Sequence, residues 1–207
     1  MEISTEAKPQ PPASSPRPEA EEELELVDDA GQTVGIAAKL AAHQAPGHLH
    51  RAFSVFLFSA PAPGRAPSDP LMLLQRRAAG KYHSPGVWSN TCCGHPRPRE
   101  HPRAAAVRRV REELGLASVV LTEAGIVRYR HPDPDTGLVE HEYNHLFTGW
   151  VSQPPDPDPA EVSATTFVSA ADLARLRVHE PFSAWFDTVL EAARPAFRQL
   201  TGSEAGW

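Results

Sequence analysis

Apolar and polar positions are unevenly divided along the chain. Residues 1–20 (MEISTEAKPQPPASSPRPEA) hold no aromatic residue and one isolated β-branched aliphatic, Ile3. They offer too little apolar surface to offset the entropy of ordering and are expected to be disordered. From Leu24 the pattern changes: LELV, a polar turn at Asp28–Gln32 and VGIAA predict a small hairpin. FSVFLFS at 53–59 and LMLLQ at 71–75 are strand-like runs joined by a Pro/Gly-rich loop, 60–70. Val107, Val110 and Leu114 recur at helical spacing among charges, predicting a helix over Ala104–Leu114. Gly125–Arg130 and Glu140–Val151 read as strands flanking the turn-rich HPDPDTG, and Thr165–Val168 as a short strand. Ser169 with Asp172 resembles a capping box opening a helix over Ala170–Leu176. A last helix is expected over Phe182–Leu200, interrupted near Pro195. Strands before, between and after helices predict a mixed α/β sandwich, without a regular βαβ repeat.

The length of 207 residues suits one compact domain with a tail. The expected division is a disordered acidic, proline-rich tail at 1–20, a domain at 21–202 and a short C-terminal tail at 203–207. No apolar run approaches the roughly 20 residues of a membrane span, so no membrane partner is expected. The net charge is −6, yet residues 1–30 hold nine acids against Lys8 and Arg17. The acidity therefore belongs to the N-terminal stretch, and the remainder has no basic field of the kind that binds nucleic acid. No positive region followed by an apolar stretch suggests a secretory signal. The two cysteines, Cys92 and Cys93, are adjacent. Neighbours make a poor disulfide, which points to a reducing, cytoplasmic setting and a possible reactive thiol.

The most specific stretch runs from Gly94 to Leu116. Gly94, Glu100, Arg108, Val110, Glu112, Glu113, Gly115 and Leu116 fall at spacings that resemble the Nudix box, a loop–helix–loop that brings a metal to a diphosphate. Arg109 and Glu113 are four apart and share a helix face, as do Arg108 and Glu112. A carboxylate beside a guanidinium can hold Mg²⁺ and a diphosphate together, because Mg²⁺ takes one or two carboxylates plus phosphate oxygens. Where the hydrolase pattern has Arg-Glu before the aliphatic residue, this chain has Arg108–Arg109. The missing carboxylate favours holding a diphosphate over cutting it, since hydrolysis uses metal ions to activate water.

Around this box, AAHQAPGHLHRAFS at 41–54, QRRAAGKYHSPGVWSNTCCGHP at 75–96, RYRHPDPDTGLVEHEYNH at 128–145 and EPFSAW at 180–185 occur in order. Together they resemble the type 1 isopentenyl-diphosphate isomerase family over about Leu24 to Leu200. The resemblance implies a Nudix-like α/β/α sandwich with a mixed central sheet, and reversible conversion of isopentenyl diphosphate to dimethylallyl diphosphate; a monomer is expected. It implies that His43, His50, His95, Glu140 and Glu142 bind a divalent metal. Three imidazoles and two carboxylates suit Mn²⁺ or Zn²⁺ with an open position, and Mg²⁺ is the third choice. Glu113 would hold the Mg²⁺ that arrives with the diphosphate. Cys93 matches the family's catalytic cysteine and Glu142 its catalytic glutamate, with Tyr129 aligned beside that acid. The favoured assignment makes Glu142 with Tyr129 the proton donor and Cys93 the acceptor; the sequence leaves the direction open. Lys39, Arg77, Lys81 and Arg109 align with phosphate-binding positions, and Trp185 with an indole that faces the carbocation, although Ala184 replaces the proline often found before it. His48 and Arg76 are neighbours of the matching residues and are assigned no role. The competing readings are a Nudix hydrolase of another diphosphate and a non-catalytic diphosphate- or metal-binding module.

Overall fold

The structure, a computed structural model, describes residues 22–60, 70–81, 83–133, 136–202 and 207. The segment 1–20, most of the loop 60–70 and most of the 203–207 tail lie outside these residues. The described elements are β1 (Glu23–Val27), β2 (Thr33–Ala38), α1 (Lys39–His43), β3 (His50–Ser59), β4 (Met72–Arg77), β5 (Trp88–Ser89), β6 (Cys92–Gly94), α2 (Pro102–Leu114), β7 (Leu121–Pro132), β8 (Val139–Val151), β9 (Val162–Val168), α3 (Ala170–His179) and α4 (Phe186–Thr201). Their strands form one mixed sheet.

β3 is the hub. It pairs antiparallel with β4 and β6, and parallel with β8 over ten positions from His50↔Glu142 to Ser59↔Val151. Both faces of β3 are covered, which is why its sequence is a near-continuous apolar run. Phe53, Val55 and Leu57 join a core with Ala105, Ala106, Val110 and Leu114 of α2. Phe56 and Phe58 join a second core with Leu173 of α3 and Phe186, Val189 and Phe197 of α4. The α/β/α sandwich with a mixed sheet is thus observed.

The hairpin β1–β2 and the capping box at Ser169 and Asp172 form as the patterns require. Strands β7 and β9 are longer than expected, beginning at Leu121 and Val162. The last helix starts at Phe186, not Phe182. The preceding residues are drawn into the sheet instead, with Trp88 N–H donating to the Pro181 carbonyl and Ser183 N–H to that of Trp88, each at 2.9 Å. Nor is this helix interrupted: it runs through Pro195, which sits on the exposed face. There the carbonyl left without its helical donor, that of Glu191, belongs to another exposed residue. Trp207, placed in a tail by the sequence, packs its ring 5.4 Å from Phe58 and is buried.

α2 opens with Pro102 behind His101, whose side chain accepts the Arg103 N–H. It closes at Gly115, which takes the left-handed conformation (φ 67°). A Cβ there would come within 2.6 Å of the Asp156 carbonyl oxygen. This close approach lets the Asp156 and Asp158 amides donate to the Leu114 and Glu113 carbonyls at 2.9 and 3.0 Å. The last turn of α2 is therefore finished by a distant loop.

Candidate active site

Three separate stretches of chain each contribute one imidazole to a single point. His43 ends α1, His50 begins β3 and His95 follows β6. Alternation along β8 puts Glu140 and Glu142 on the same face. One ligand atom from each of these five residues lies within 4.8 Å of all the others. His43 Nδ1–H donates to the Lys39 carbonyl at 2.7 Å, and His50 Nδ1–H to the His48 carbonyl at 2.8 Å. Because a carbonyl can only accept, both rings turn Nε2 inward, the orientation a metal ligand needs. His48 thus serves through its backbone alone. Burial, together with the neighbouring His95, pushes His50 down to about 3, so its imidazole is neutral. The donor set fits a divalent metal.

Glu142 accepts hydrogen bonds on Oε2 from the Tyr129 hydroxyl and from Asn144 Nδ2, the latter at 2.7 Å, while Oε1 faces His95 at 3.2 Å. Burial and the adjacent Glu140 carboxylate raise its carboxyl to about 7. Tyr129 is pushed well above the usual phenol range by burial and by Glu142, and keeps its proton. Cys93 lies opposite Ser54 of β3, on the edge of β3 away from β8. Burial drives its thiol up to about 12; the Arg77 guanidinium, 4.0 Å from Sγ, pulls the other way. Cys92 is fully buried in the α2 core, as a small hydrophobe.

A cavity of about 800 Å³ runs from this cluster to the second half of the Nudix-like helix, at Arg108, Arg109, Glu112 and Glu113. Lys39, Arg77, Lys81, Arg109, Glu113 and Trp185 all line it, with Cys93, His43, His95, Glu140 and Glu142. His50 and Tyr129 stand behind the wall, buried. Arg76 points elsewhere, to the Gly86 carbonyl at 2.8 Å and to Glu180. Arg109 touches Glu113 at 2.8 Å and Glu112 at 3.0 Å, as the helical spacing requires. Residues 48–188 match the NUDIX domain family. An isopentenyl-diphosphate Delta-isomerase from Streptomyces griseus is 66% identical over 184 residues, 89% of either chain.

The chain belongs to the isopentenyl-diphosphate Delta-isomerase family. A member from Nocardia farcinica is 47% identical over 181 residues, 86% of this chain and 98% of that one. Among solved structures, that of DR0079 from Deinococcus radiodurans superposes with a TM-score of 0.62 at 18% identity, over 84% of this chain and 98% of the other. At that identity the likeness speaks for the fold. Within this isomerase family's frame, two pocket residues escaped the sequence reading. His83 is buried, reaches Glu140 Oε1 with Nδ1 at 2.9 Å and stacks on Trp185 with ring centroids 5.9 Å apart. Its only signal was a place two residues beyond Lys81, in a loop without periodicity. Glu161 bridges Lys81 and Arg109 from the residue before β9. Nothing marked it among the acids of the Asp/Pro-rich segment before that strand.

Proposed function

We infer that the chain interconverts isopentenyl diphosphate and dimethylallyl diphosphate in isoprenoid biosynthesis, the reaction its relatives are named for. The observation that carries this reading is the pairing of two proton-handling groups in one cavity. Cys93 on β6 and Glu142 with Tyr129 on β8 and β7 lie on opposite sides of β3, and six cations, Lys39, Arg77, Lys81 and Arg109 among them, line the same cavity. The double bond moves when one carbon gains a proton and another loses one, through a tertiary carbocation-like state.

In one direction, Glu142 as the carboxylic acid, supported by Tyr129, gives a proton to the terminal alkene carbon, and the Cys93 thiolate takes one from the allylic carbon. The turnover leaves Glu142 ionised and Cys93 as thiol. That form is the starting point for the reverse direction, with the roles exchanged. Burial raises the Cys93 thiol as well as the Glu142 carboxyl, and a thiol so raised favours this form. Consecutive turnovers in the first direction therefore require a proton to return from Cys93 to Glu142, and Arg77 assists by favouring the thiolate. Trp185 offers the carbocation an indole face, which attracts positive charge without acting as a nucleophile.

Lys39, Arg77, Lys81 and Arg109 receive the diphosphate, the arginines through forked donors and the lysines as point charges. Glu113 would hold a Mg²⁺ ion arriving with it. His43, His50, His95, Glu140 and Glu142 would hold Mn²⁺, Zn²⁺ or Mg²⁺. When bound there, the cation supplies positive charge beside the Glu142 carboxylate. No helix among the described residues is long and apolar enough to cross a membrane. Both cysteines are free, which suits a reducing cytoplasm.

Proton NMR of the protein with isopentenyl diphosphate, Mg²⁺ and Mn²⁺ in D₂O tests the reading. Dimethylallyl diphosphate carrying deuterium is expected, and none with Cys93→Ala. Release of inorganic phosphate or pyrophosphate from unchanged carbon skeletons would make the chain a hydrolase instead.

A further inference from the structure

Glu161 is placed by backbone on both sides. Its N–H donates to the Asp158 carbonyl and its carbonyl accepts from the Ala78 N–H, each at 3.0 Å. From there the carboxylate divides its two oxygens between cations of different elements. Oε2 lies 2.6 Å from Lys81 Nζ, in the loop after β4, and Oε1 lies 3.1 Å from Arg109 Nη2, on α2. Lys81 and Arg109 have only 9% and 22% of their side chains exposed and line the same cavity. Two half-buried cations converging on one space repel each other, with little water to screen them. The carboxylate between them removes that repulsion. Burial alone would raise the Glu161 carboxyl, but Arg109 and Lys81 hold it below the ordinary carboxylate range, so the bridge is charged at neutral pH.

We propose that Glu161 is a placeholder for the substrate's diphosphate: in the empty enzyme its two oxygens occupy the positions of phosphate oxygens on Lys81 and Arg109, and it yields at least one of these cations when the diphosphate enters. This rests on the reading of Lys81 and Arg109 as diphosphate residues. A phosphate group and a carboxylate present comparable oxygens to a guanidinium or ammonium, and the phosphate carries the greater charge. Glu161 therefore keeps both cations aimed and charged between turnovers, and weakens the grip on the departing product. It is a positioning residue. Glu112 provides the contrast, because its Oε2 pairs with Arg109 at 3.0 Å and with Arg108 at 3.1 Å, a neighbour on the same helix, instead of with Lys81.

The experiment is calorimetric titration of the full-length protein with inorganic pyrophosphate and Mg²⁺. Glu161→Gln, close to isosteric, is expected to bind pyrophosphate about fivefold more tightly, the scale of one partly exposed ion pair. Glu112→Gln should gain less than half of that factor, and the gain from Glu161→Gln should shrink when Lys81 is already alanine. Glu161→Ala is expected to move in the same direction, and tighter binding is not an outcome that structural damage produces. Unchanged or weaker pyrophosphate binding in both Glu161 variants would overturn the proposal. Lys81→Ala and Arg109→Ala separate the two levels of inference. If neither weakens pyrophosphate binding, the diphosphate reading itself fails; if both do while Glu161→Gln gains nothing, the placeholder alone fails.

Discussion

The two ends of the cavity are built on different principles. At the metal end, His50, Glu140 and Glu142 sit on strands, all three are at most 6% exposed, and backbone carbonyls fix the inward face of two imidazoles. At the other end, Arg109 and Lys81 come from a helix face and a loop, and each is already paired with carboxylates. A strand pair in register cannot shift one side chain without moving its neighbours, whereas long charged side chains can change partners at little backbone cost. The rigid end is suited to a resident ion and to proton positions that must be accurate. The exchangeable end is suited to a ligand that arrives and leaves in every cycle.

The largest effect expected leaves both ends intact. Cys93→Ala should reduce isomerase turnover by about a thousandfold or more, within the range for loss of a general acid–base group. Metal content and pyrophosphate affinity should change little, and loss of the folded state instead would make Cys93 structural. Next, Glu140→Gln should weaken transition-metal binding by about a hundredfold, measured by competition with a chelator, because the variant loses a charged ligand and unsettles His43 and His83. Unchanged stoichiometry and affinity would remove Glu140 from the ligands, and a parallel loss of pyrophosphate binding would show that the ends are not independent. Arg109→Ala should do the converse, lowering pyrophosphate affinity by about thirtyfold through lost charge-assisted hydrogen bonds while sparing the bound metal.

The last effect is set by protons. Burial lowers the His43 imidazole, but its bond to Glu140 more than restores it, leaving it above the usual histidine value. Glu142 stands near 7. Protons on these groups compete with the metal, so its affinity should fall as the pH drops through neutrality, by about tenfold between about pH 8 and pH 6 for the Glu142 proton alone. His50, at about 3, adds nothing to this dependence. Titrations with Mn²⁺ at about pH 8 and pH 6 should show the loss, and a pH-independent affinity would break the link between these side chains and the metal.

What was legible in the sequence divides in a related way. The Nudix-like helix and the two-residue alternation of Glu140 and Glu142 carry local periodicity, and both are found where that periodicity puts them. α1, β5 and β6, of five, two and three residues, are too short for any period to register, although α1 and β6 deliver His43 and Cys93. β5 and β6 form because β4 and β3 offer them edges to pair with, a tertiary circumstance. Phe182 shows the same override, since a bridge to Trp88 withholds it from the helix its apolar neighbours suggest. His83 and Glu161 stayed hidden because their importance lies in partners 57 and 52 to 80 residues away.

The junction at Gly115 carries that lesson into mutational tolerance. The glycine is far in sequence from Glu161, yet its missing side chain is the gap through which the 156–161 loop reaches the last carbonyls of α2. Any larger residue there would push on the Asp156 backbone first, and through it on the carboxylate between Lys81 and Arg109. In a screen of variants, damage at Gly115 would then register as a ligand-binding defect in a residue that touches no ligand. The helix end and the loop constitute one heritable unit, and substitutions in either are tolerated only as far as the other can follow.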